Sequence, residues 1–368
     1  MTDAVETAAF MAMKGAGYYS KATVVAREAI DAATPWVLEA ADRLPLDQDG
    51  SPVRVADLGC ADGGTSIGLW DRVLMALRQR VPGRAIEIAY TDLPQNDFNH
   101  LFRMLYGQTD VESYYGRIPD VYPFASATSF HQPIFPPGTV HLAFSAHASH
   151  YVSKVPCAIP EHVHMVGATG TERAAYEEAG RLEWERLLVL RARELVRGGR
   201  LCMLSFGIDE HGRYVGNTGG ASVFDTLNTL WRRLADEGVI SAGEYRRTNF
   251  PQVFRTIEQF TSGLLDENSE VWAAGLRLES IEPRIQECPF ARSFEEHRDP
   301  DRFAREYVPT LRSWSEPTFA NGLSPDRSPD DRMAVLDEFY GRYGDLVAKD
   351  PEGHRMDLVD IVMTCVRV

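Results

Sequence analysis

The sequence predicts an α/β protein with a mostly parallel, doubly wound sheet and a helical cap. Three observations in the 368-residue chain support this class. Short apolar runs, typical of parallel strands covered on both faces, recur along the chain. One run leads into a glycine-rich turn and then a helix. After Gly207 the pattern changes to helical segments, which indicates an inserted cap.

Five segments are predicted strands because each is short, apolar and rich in branched side chains. They span 54–58, 86–91, 140–145, 200–206 and 358–366, and 276–285 is interpreted as a return to the sheet. Ligands of such sheets lie beyond the carboxyl ends of the strands. The residues that follow these strands are therefore the candidates for function.

The spacing of apolar residues predicts a helix over 181–196, ended by Gly198 and Gly199. A second helix is predicted over 223–237. No secondary structure is predicted for the polar, proline-containing segment 290–321. We predict a Rossmann-like domain formed by 1–206 and about 270–368. The cap would comprise about 207–269 with parts of 157–180 and 290–325.

Composition narrows the class of partner. The net charge of −15 argues against nucleic acid, since a phosphate-binding surface needs clustered Lys and Arg. Five cysteines without a CxxC pair indicate neither a disulfide framework nor a zinc site, which fits a reducing, cytoplasmic setting. Residues 1–13 carry Asp3 and Glu6 and no long apolar run, so we expect no signal peptide and no membrane association.

The stretch 53–66 is the most informative motif. Gly59 lets the backbone approach a ligand closely, and Gly63 and Gly64 stand where a helix would begin. Asp57 and Asp62 add negative charge, which would repel a pyrophosphate but suits a ligand carrying an ammonium and a sulfonium. S-adenosylmethionine fits, and a nicotinamide-dependent oxidoreductase is the weaker alternative because the three-glycine spacing is absent.

Asp92 ends the second predicted strand, where a carboxylate can accept both hydroxyls of a ribose. Taken alone, it could equally cap a turn. Its distance from Gly59 exceeds the usual spacing of roughly 20 residues, so spacing does not decide between the two.

His147, His150 and Tyr151 follow the strand 140–145, where the reacting group of a substrate would lie. A neutral imidazole there could orient an acceptor or take its proton, and the alternative is two histidines satisfied within a loop. A metal site using these histidines with Glu161, His162 and His164 is not expected, because the helical context of a zinc motif is missing.

Aromatic side chains are dense near these segments and could hold a flat substrate. Phe224 and Trp231 stand seven residues apart on one face of the predicted helix 223–237. Two interpretations of this pair are possible, contact with the substrate or packing against the sheet.

Four motifs, in order, resemble the SABATH family of small-molecule methyltransferases, named for salicylate, benzoic acid and theobromine enzymes. Residues 57–66 are similar to the family's Asp-Leu-Gly-Cys-Ser-Ser-Gly-Pro-Asn-Thr, and 91–99 are nearly identical to its Asn-Asp-Leu-Pro-x-Asn-Asp-Phe-Asn. Segment 13–26 resembles the family's N-terminal pattern, and 128–131 with 144–156 resemble its Gly-Ser-Phe-Tyr and His-Ser-Ser-Tyr stretches.

The resemblance implies a class I methyltransferase fold that binds S-adenosylmethionine, in a bacterial member and as a homodimer. It implies that Tyr19, Asp57, Gly59 and Cys60 line the methionine end, with Thr65 in place of a family Asn. Asp92 and Leu93 would hold the ribose, and Ser129 and Phe130 would flank the adenine.

The acceptor side departs from the family pattern. Ala26 replaces a carboxylate-binding Gln, Tyr151 replaces a Trp, and His147 replaces a neighbouring Tyr. Ala26 cannot donate a hydrogen bond, whereas His147 and Tyr151 can. We predict acceptor contacts from Thr23, His147, Tyr151, Phe224 and Trp231, with His147, His150 and Tyr151 closest to the chemistry.

The predicted reaction is O-methylation of a small carboxylic acid to its methyl ester, in which the protein mainly aligns the reactants. Methylation of a hydroxyl or ring nitrogen, with a histidine as base, is the alternative within enzymes. A non-catalytic cofactor-binding protein is a further alternative, motivated by Ala26.

Overall fold

The computed structural model describes residues 23–46 and 50–368. Eight strands form one sheet: β1 (Val53–Leu58), β2 (Ile86–Asp92), β3 (Val121–Ala127), β4 (Val140–Ala146), β5 (Leu195–Ile208), β6 (Arg255–Thr256), β7 (Leu276–Gln286) and β8 (Leu358–Arg367). Their order is β3-β2-β1-β4-β5-β8-β7, and β6 pairs with β5. The strands β1 to β5 pair with one another in parallel, whereas β8 is antiparallel to both β5 and β7. The predicted α/β class with a mostly parallel sheet is confirmed.

The helices are α1 (Val24–Asp42), α2 (Ile67–Arg80), α3 (Phe98–Leu105), α4 (Gly170–Glu194), α5 (Val223–Asp236), α6 (Ala242–Arg247), α7 (Ile257–Leu265), α8 (Glu270–Ala273), α9 (Pro289–His297), α10 (Pro300–Gly322) and α11 (Pro329–Lys349). None of the helices within these described ranges combines the length and apolarity needed to cross a membrane.

Alternation along the strands divides the core between the two faces of the sheet. Val55 and Leu142 point to the face covered by α1, α2 and the helices α5, α10 and α11. Ala56 and Ala143, one residue further, point to the face covered by α4, α7 and α8. Because successive side chains of a strand point to opposite faces, a sheet covered on both sides reads as a continuous apolar run.

Three local predictions differ from the structure. Strand β3 was not predicted, because it lies at the sheet edge and exposes Tyr122 and Phe124. Helix α4 ends at Glu194, two residues before the predicted end, since Leu195 already pairs with Val140 of β4.

The segment for which no structure was predicted is helical. Prolines occupy the first turns of α9 and α10, where a helix tolerates them, and the Asp299 side chain caps α10 by accepting from the amide of Arg302. Helix α10 also packs along α11. The proposed division into a Rossmann-like domain and a cap stays a prediction.

Candidate active site

Two adjoining cavities open at the carboxyl edge of the parallel strands. The first is lined by residues at and beyond the ends of β1, β2, β3 and β4. The second lies between this edge and helices α1, α5 and α10. Ala26, His147 and Tyr151 line both cavities, so the two spaces meet at these residues.

Most residues predicted to bind the cofactor come together around the first cavity. Seven of them line it: Gly59, Cys60, Thr65, Asp92, Leu93, Ser129 and Phe130. Tyr19 lies outside the described residues. Asp57 is not among the lining residues. Among the described residues that line this cavity there is no Lys or Arg.

Asp57 lies beneath the turn, where residues at the start of helix α2 donate hydrogen bonds to its side chain. Its Oδ2 accepts hydrogen bonds from Ser66 Oγ at 2.6 Å and Trp70 Nε1 at 2.8 Å. Burial raises the pKa of Asp57 to about 6, although both hydrogen bonds act to lower it. The structure therefore gives Asp57 a supporting position under the turn instead of the predicted position along the cavity.

The turn after β1 has backbone geometry that fits close approach of a ligand. Gly59 has a φ of +76°, and a Cβ added there would lie 2.6 Å from the Ala148 Cβ. Ala61 also has a positive φ, of 48°. Only glycine adopts such angles without cost, so the conformation of Ala61 is held by its surroundings.

Asp92 and Asn96 hold Ala61 in place. Asp92 Oδ2 accepts from the Ala61 amide and Oδ1 from the Leu93 amide, each at 2.7 Å, while Asn96 Nδ2 donates to the Ala61 carbonyl at 2.7 Å. Burial raises the pKa of Asp92 above its ordinary value. Each carboxylate oxygen keeps a lone pair, so Asp92 can still accept further hydrogen bonds at the cavity.

His147 stands at the junction in an unusual backbone conformation. Its φ is +51°, and its amide donates to the Leu204 carbonyl at 2.8 Å. The imidazole stacks on Phe206 with ring centroids 4.4 Å apart, and Nε2 lies 2.9 Å from Asp360 Oδ1. Non-glycine residues with positive φ cluster at functional sites, where the surrounding structure holds them.

His150, which is buried, and Tyr151, which is half-buried, lie beside His147, and both are uncharged near neutral pH. Burial lowers the pKa of His150 well below its usual value, and the neighbouring His147 and Arg255 act in the same direction. Burial raises the pKa of Tyr151 to about 12, opposed by a hydrogen bond with Gln252. The Tyr151 hydroxyl therefore keeps its proton and can donate.

Four of the five predicted acceptor residues line the second cavity. Thr23 and Phe224 line it with His147 and Tyr151, but Trp231 does not. Trp231 is buried between helices, donating from Nε1 to Thr248 Oγ1 at 2.9 Å, with its ring 4.8 Å from that of Phe319. The acceptor prediction is corrected for Trp231, which packs among helices.

Sequence reasoning missed several residues of the second cavity and its wall: Phe206, Gln252, Phe254, Thr310, Trp314 and Asp360. Gln252 lies in a segment for which no element was predicted. The described residues that line this cavity include no Lys, Arg, Asp or Glu.

The remaining histidines have structural partners. His162 Nε2 lies 3.0 Å from Asp225 Oδ1, and the ring of His164 stacks on Phe224 at 3.9 Å. Across residues 23–46 and 50–368, no three His, Cys, Asp or Glu side chains are grouped as a metal site.

Comparison with known proteins places this geometry in context. Residues 7–367 match a family model described as SAM-dependent carboxyl methyltransferase. Gibberellic acid methyltransferase 2 of Arabidopsis thaliana is 27% identical over 355 residues, covering 88% of this chain and 84% of that protein. Salicylate carboxymethyltransferase of Clarkia breweri is 24% identical, covering 69% of this chain and 72% of its own length.

A solved structure of loganic acid methyltransferase with SAH has the same fold. It superposes with a TM-score of 0.76 at 20% sequence identity and covers 96% of this chain and 98% of its own. The two sequence relatives are plant proteins and give no support to the bacterial source expected from the resemblance.

Proposed function

The chain belongs to the family of S-adenosylmethionine-dependent carboxyl methyltransferases, and on that premise we propose that it esterifies a small monocarboxylic acid with an apolar body. The cofactor would occupy the first cavity and the acid the second. The observation that carries this proposal is that His147 and Tyr151 line both cavities. A methyl group can pass directly between two ligands only where their sites meet.

The residues of the first cavity fit S-adenosylmethionine. Asp92 offers a carboxylate to the ribose hydroxyls, and Gly59 leaves the turn open for close approach. We propose that Leu93 joins Asp92 at the ribose, that Ser129 and Phe130 flank the adenine, and that Gly59, Cys60 and Thr65 line the methionine end. The described part of the lining carries the Asp92 carboxylate and no Lys or Arg, which supports a cationic sulfonium over a pyrophosphate.

When bound, S-adenosylmethionine supplies an electrophilic methyl group on sulfur. A carboxylate oxygen bonds to the methyl carbon as the carbon–sulfur bond breaks with its electron pair left on sulfur, giving a methyl ester and a thioether. The carboxylate needs no base, so the protein's task is alignment. Alignment of this kind contributes roughly 7 to 11 kcal/mol of barrier lowering.

The walls of the second cavity support the choice of acid. Phe206, Phe224, Phe254 and Trp314 offer aromatic faces to an apolar body. The Tyr151 hydroxyl and the side chains of Gln252 and His147 offer hydrogen bonds on one side. A second carboxylate would meet no Lys or Arg in the described part of this lining and would be costly to bury there.

The test is incubation of purified protein with methyl-labelled cofactor and a panel of aromatic, terpenoid and aliphatic monocarboxylic acids, each paired with its dicarboxylic analogue. Label in ester from the monoacids supports the proposal. If every acid fails while phenols or ring nitrogens are labelled, the proposal is wrong, and the neutral His150, whose Nδ1 has no partner in the described chain, becomes the candidate base. The homodimer expected from the resemblance stays a prediction for light scattering.

A further inference from the structure

We propose that Asp360 is a positioning residue that orients His147 through Nε2, so that His147 gains a proton on Nδ1 as the acid binds and holds the acceptor carboxylate through a charged Nδ1–H donor. This inference rests on the proposed function, because it concerns how the acid is held. It adds a residue from β8 that the motifs of the chain did not indicate.

Two neighbouring strands, β5 and β8, fix the His147 ring. Its Nε2 lies 2.9 Å from Asp360 Oδ1, and the two side chains are each 3% exposed. Phe206 of β5, which pairs with Asp360 in the sheet, covers one face of the ring. The other ring nitrogen, Nδ1, is buried and has no hydrogen-bond partner within the described chain. A residue that lines both cavities therefore carries one held nitrogen and one unused nitrogen.

The charge of Asp360 determines which form of the ring is stable. A buried carboxylate is costly unless it is paired. Within residues 23–46 and 50–368, Asp360 forms an ion pair with His147 and with no Lys or Arg. When Nε2 carries a proton directed at Asp360, Nδ1 is an unprotonated acceptor in the neutral imidazole. In the imidazolium Nδ1 also carries a proton and is a second donor.

Balance of charge in the occupied site favours the imidazolium. With a neutral ring, two carboxylates, that of Asp360 and that of the acid, would face a single sulfonium. A protonated ring adds a positive charge between these two carboxylates. A charge-assisted hydrogen bond is also about twice as strong as a neutral one.

Among the described residues, no other titratable group near His147 can take this role. His150 and Tyr151, on the same loop, are neutral. Arg255 lies behind His150, where its guanidinium donates to the carbonyls of Ser149 and Gly180. Ala26, at the same junction, offers no donor.

The proposal predicts that the acid takes up a proton from solvent as it binds. The experiment titrates the acid methylated fastest in the panel into protein saturated with S-adenosylhomocysteine. Calorimetry at pH 8 in buffers of different ionisation enthalpy counts the protons taken up. We expect up to one proton for the natural sequence and almost none for Asp360→Asn, which keeps an acceptor for Nε2–H but lacks the charge.

Kinetics supply the second readout. Asp360→Asn should raise KM for the acid roughly 10- to 100-fold, as expected for loss of a charged hydrogen bond. The increase should be larger at pH 8.5 than at pH 6.5, with kcat and S-adenosylhomocysteine affinity little changed. His147→Gln, which offers an uncharged amide donor, should bind the acid weakly and without proton uptake or pH dependence.

The outcomes separate this inference from the proposed function. If no acid in the panel is methylated, the function itself is wrong and the inference falls with it. If acids are methylated but Asp360→Asn leaves KM, its pH profile and proton uptake unchanged, only the inference is overturned. Loss of S-adenosylhomocysteine binding would show that Asp360→Asn fails to fold. In that case the comparison of proton uptake between the natural protein and His147→Gln decides, and equal uptake in the two would overturn the inference.

Discussion

The carboxylate of Asp92, at the end of β2, accepts a hydrogen bond from the amide of Ala61, in the turn after β1, at 2.7 Å. One residue thus closes the turn and presents its remaining lone pairs to the first cavity. The contact joins the glycine-rich turn and the second strand, the two motifs that point most strongly to a nucleoside ligand.

Asp92→Asn should weaken binding of S-adenosylhomocysteine roughly 10- to 100-fold, because a charged acceptor is lost to both the ligand and the amide of Ala61. Calorimetry measures the dissociation constant. Asp110→Asn, an exposed residue in a loop, is the matched control and should bind normally. Equal affinity in both variants would remove Asp92 from the cofactor site.

Gly59→Ala should impair both stability and cofactor binding. Gly116→Ala is the control that separates the backbone cost of a positive φ from the steric clash of an added Cβ. The two glycines have nearly the same φ, +76° and +77°, but an added Cβ meets Ala148 at 2.6 Å at Gly59 and open space at Gly116. We expect Gly116→Ala to cost on the order of 1 to 2 kcal/mol through its backbone alone.

Gly59→Ala should lose more stability than Gly116→Ala and should also bind S-adenosylhomocysteine more weakly. Urea unfolding and calorimetry compare the two variants. Equal losses of stability with unchanged affinity would show that the first cavity does not need the close approach at this turn.

The limits of prediction from sequence follow from distance along the chain. Gly59 and Asp92 could be predicted because each lies at the carboxyl end of its own strand, and these strand ends meet at one edge of the sheet. Asp360 could not be, because it reaches His147 across 213 residues, through a register of β8 that no local pattern fixes. Gln252 likewise enters from a segment outside the recognised strands.

Trp231 shows a different limit. Periodicity correctly places it on the same face of α5 as Phe224, yet seven residues advance a helix by roughly 10 Å. One ring therefore reaches the second cavity, and the other lies among Phe319 and Phe339. A pattern gives the face of a helix but not where along its axis the cavity ends.

Phe224→Leu and Trp231→Phe should consequently affect different properties, the first acid preference and the second stability. Phe224→Leu should change which acids are accepted, seen as altered relative kcat/KM across the panel, because its ring forms part of the cavity wall. Trp231→Phe should leave these ratios unchanged but lower the free energy of unfolding by about 1 to 3 kcal/mol, through lost packing and the lost bond to Thr248. A shift in acid preference in Trp231→Phe would contradict the corrected assignment.

Tyr151→Phe should raise KM for the acid about 10-fold by removing one donor. Because burial raises the pKa of Tyr151 to about 12, the hydroxyl keeps its proton and the effect should not vary between pH 6 and 9. Steady-state kinetics test this, with S-adenosylhomocysteine affinity as a check on the first cavity. The exposed Tyr122→Phe is the control, and equal KM values in the two variants would exclude Tyr151 from acid binding.

Asp57 and His131 should influence the pH dependence of stability in opposite directions. Burial raises the pKa of Asp57 to about 6, so between about pH 4 and 6 the folded state holds a proton that the unfolded state has released. The free energy of unfolding therefore falls as pH rises through this window, by about 3 kcal/mol. Burial lowers the pKa of His131 to about 4, so between about pH 4 and 6.5 only the unfolded state is protonated, and stability rises with pH.

Because the two trends largely cancel, a flat profile for the natural sequence would reveal neither group. The measurement is therefore the difference in free energy of urea unfolding between the natural sequence and each variant, at half-unit steps from pH 4 to 7. Relative to the natural sequence, Asp57→Asn should gain stability as pH rises, since its amide can still accept from Ser66 or Trp70 but carries no charge to bury. His131→Gln should lose relative stability over the same range, and two differences of the same sign would contradict the assignment of these groups.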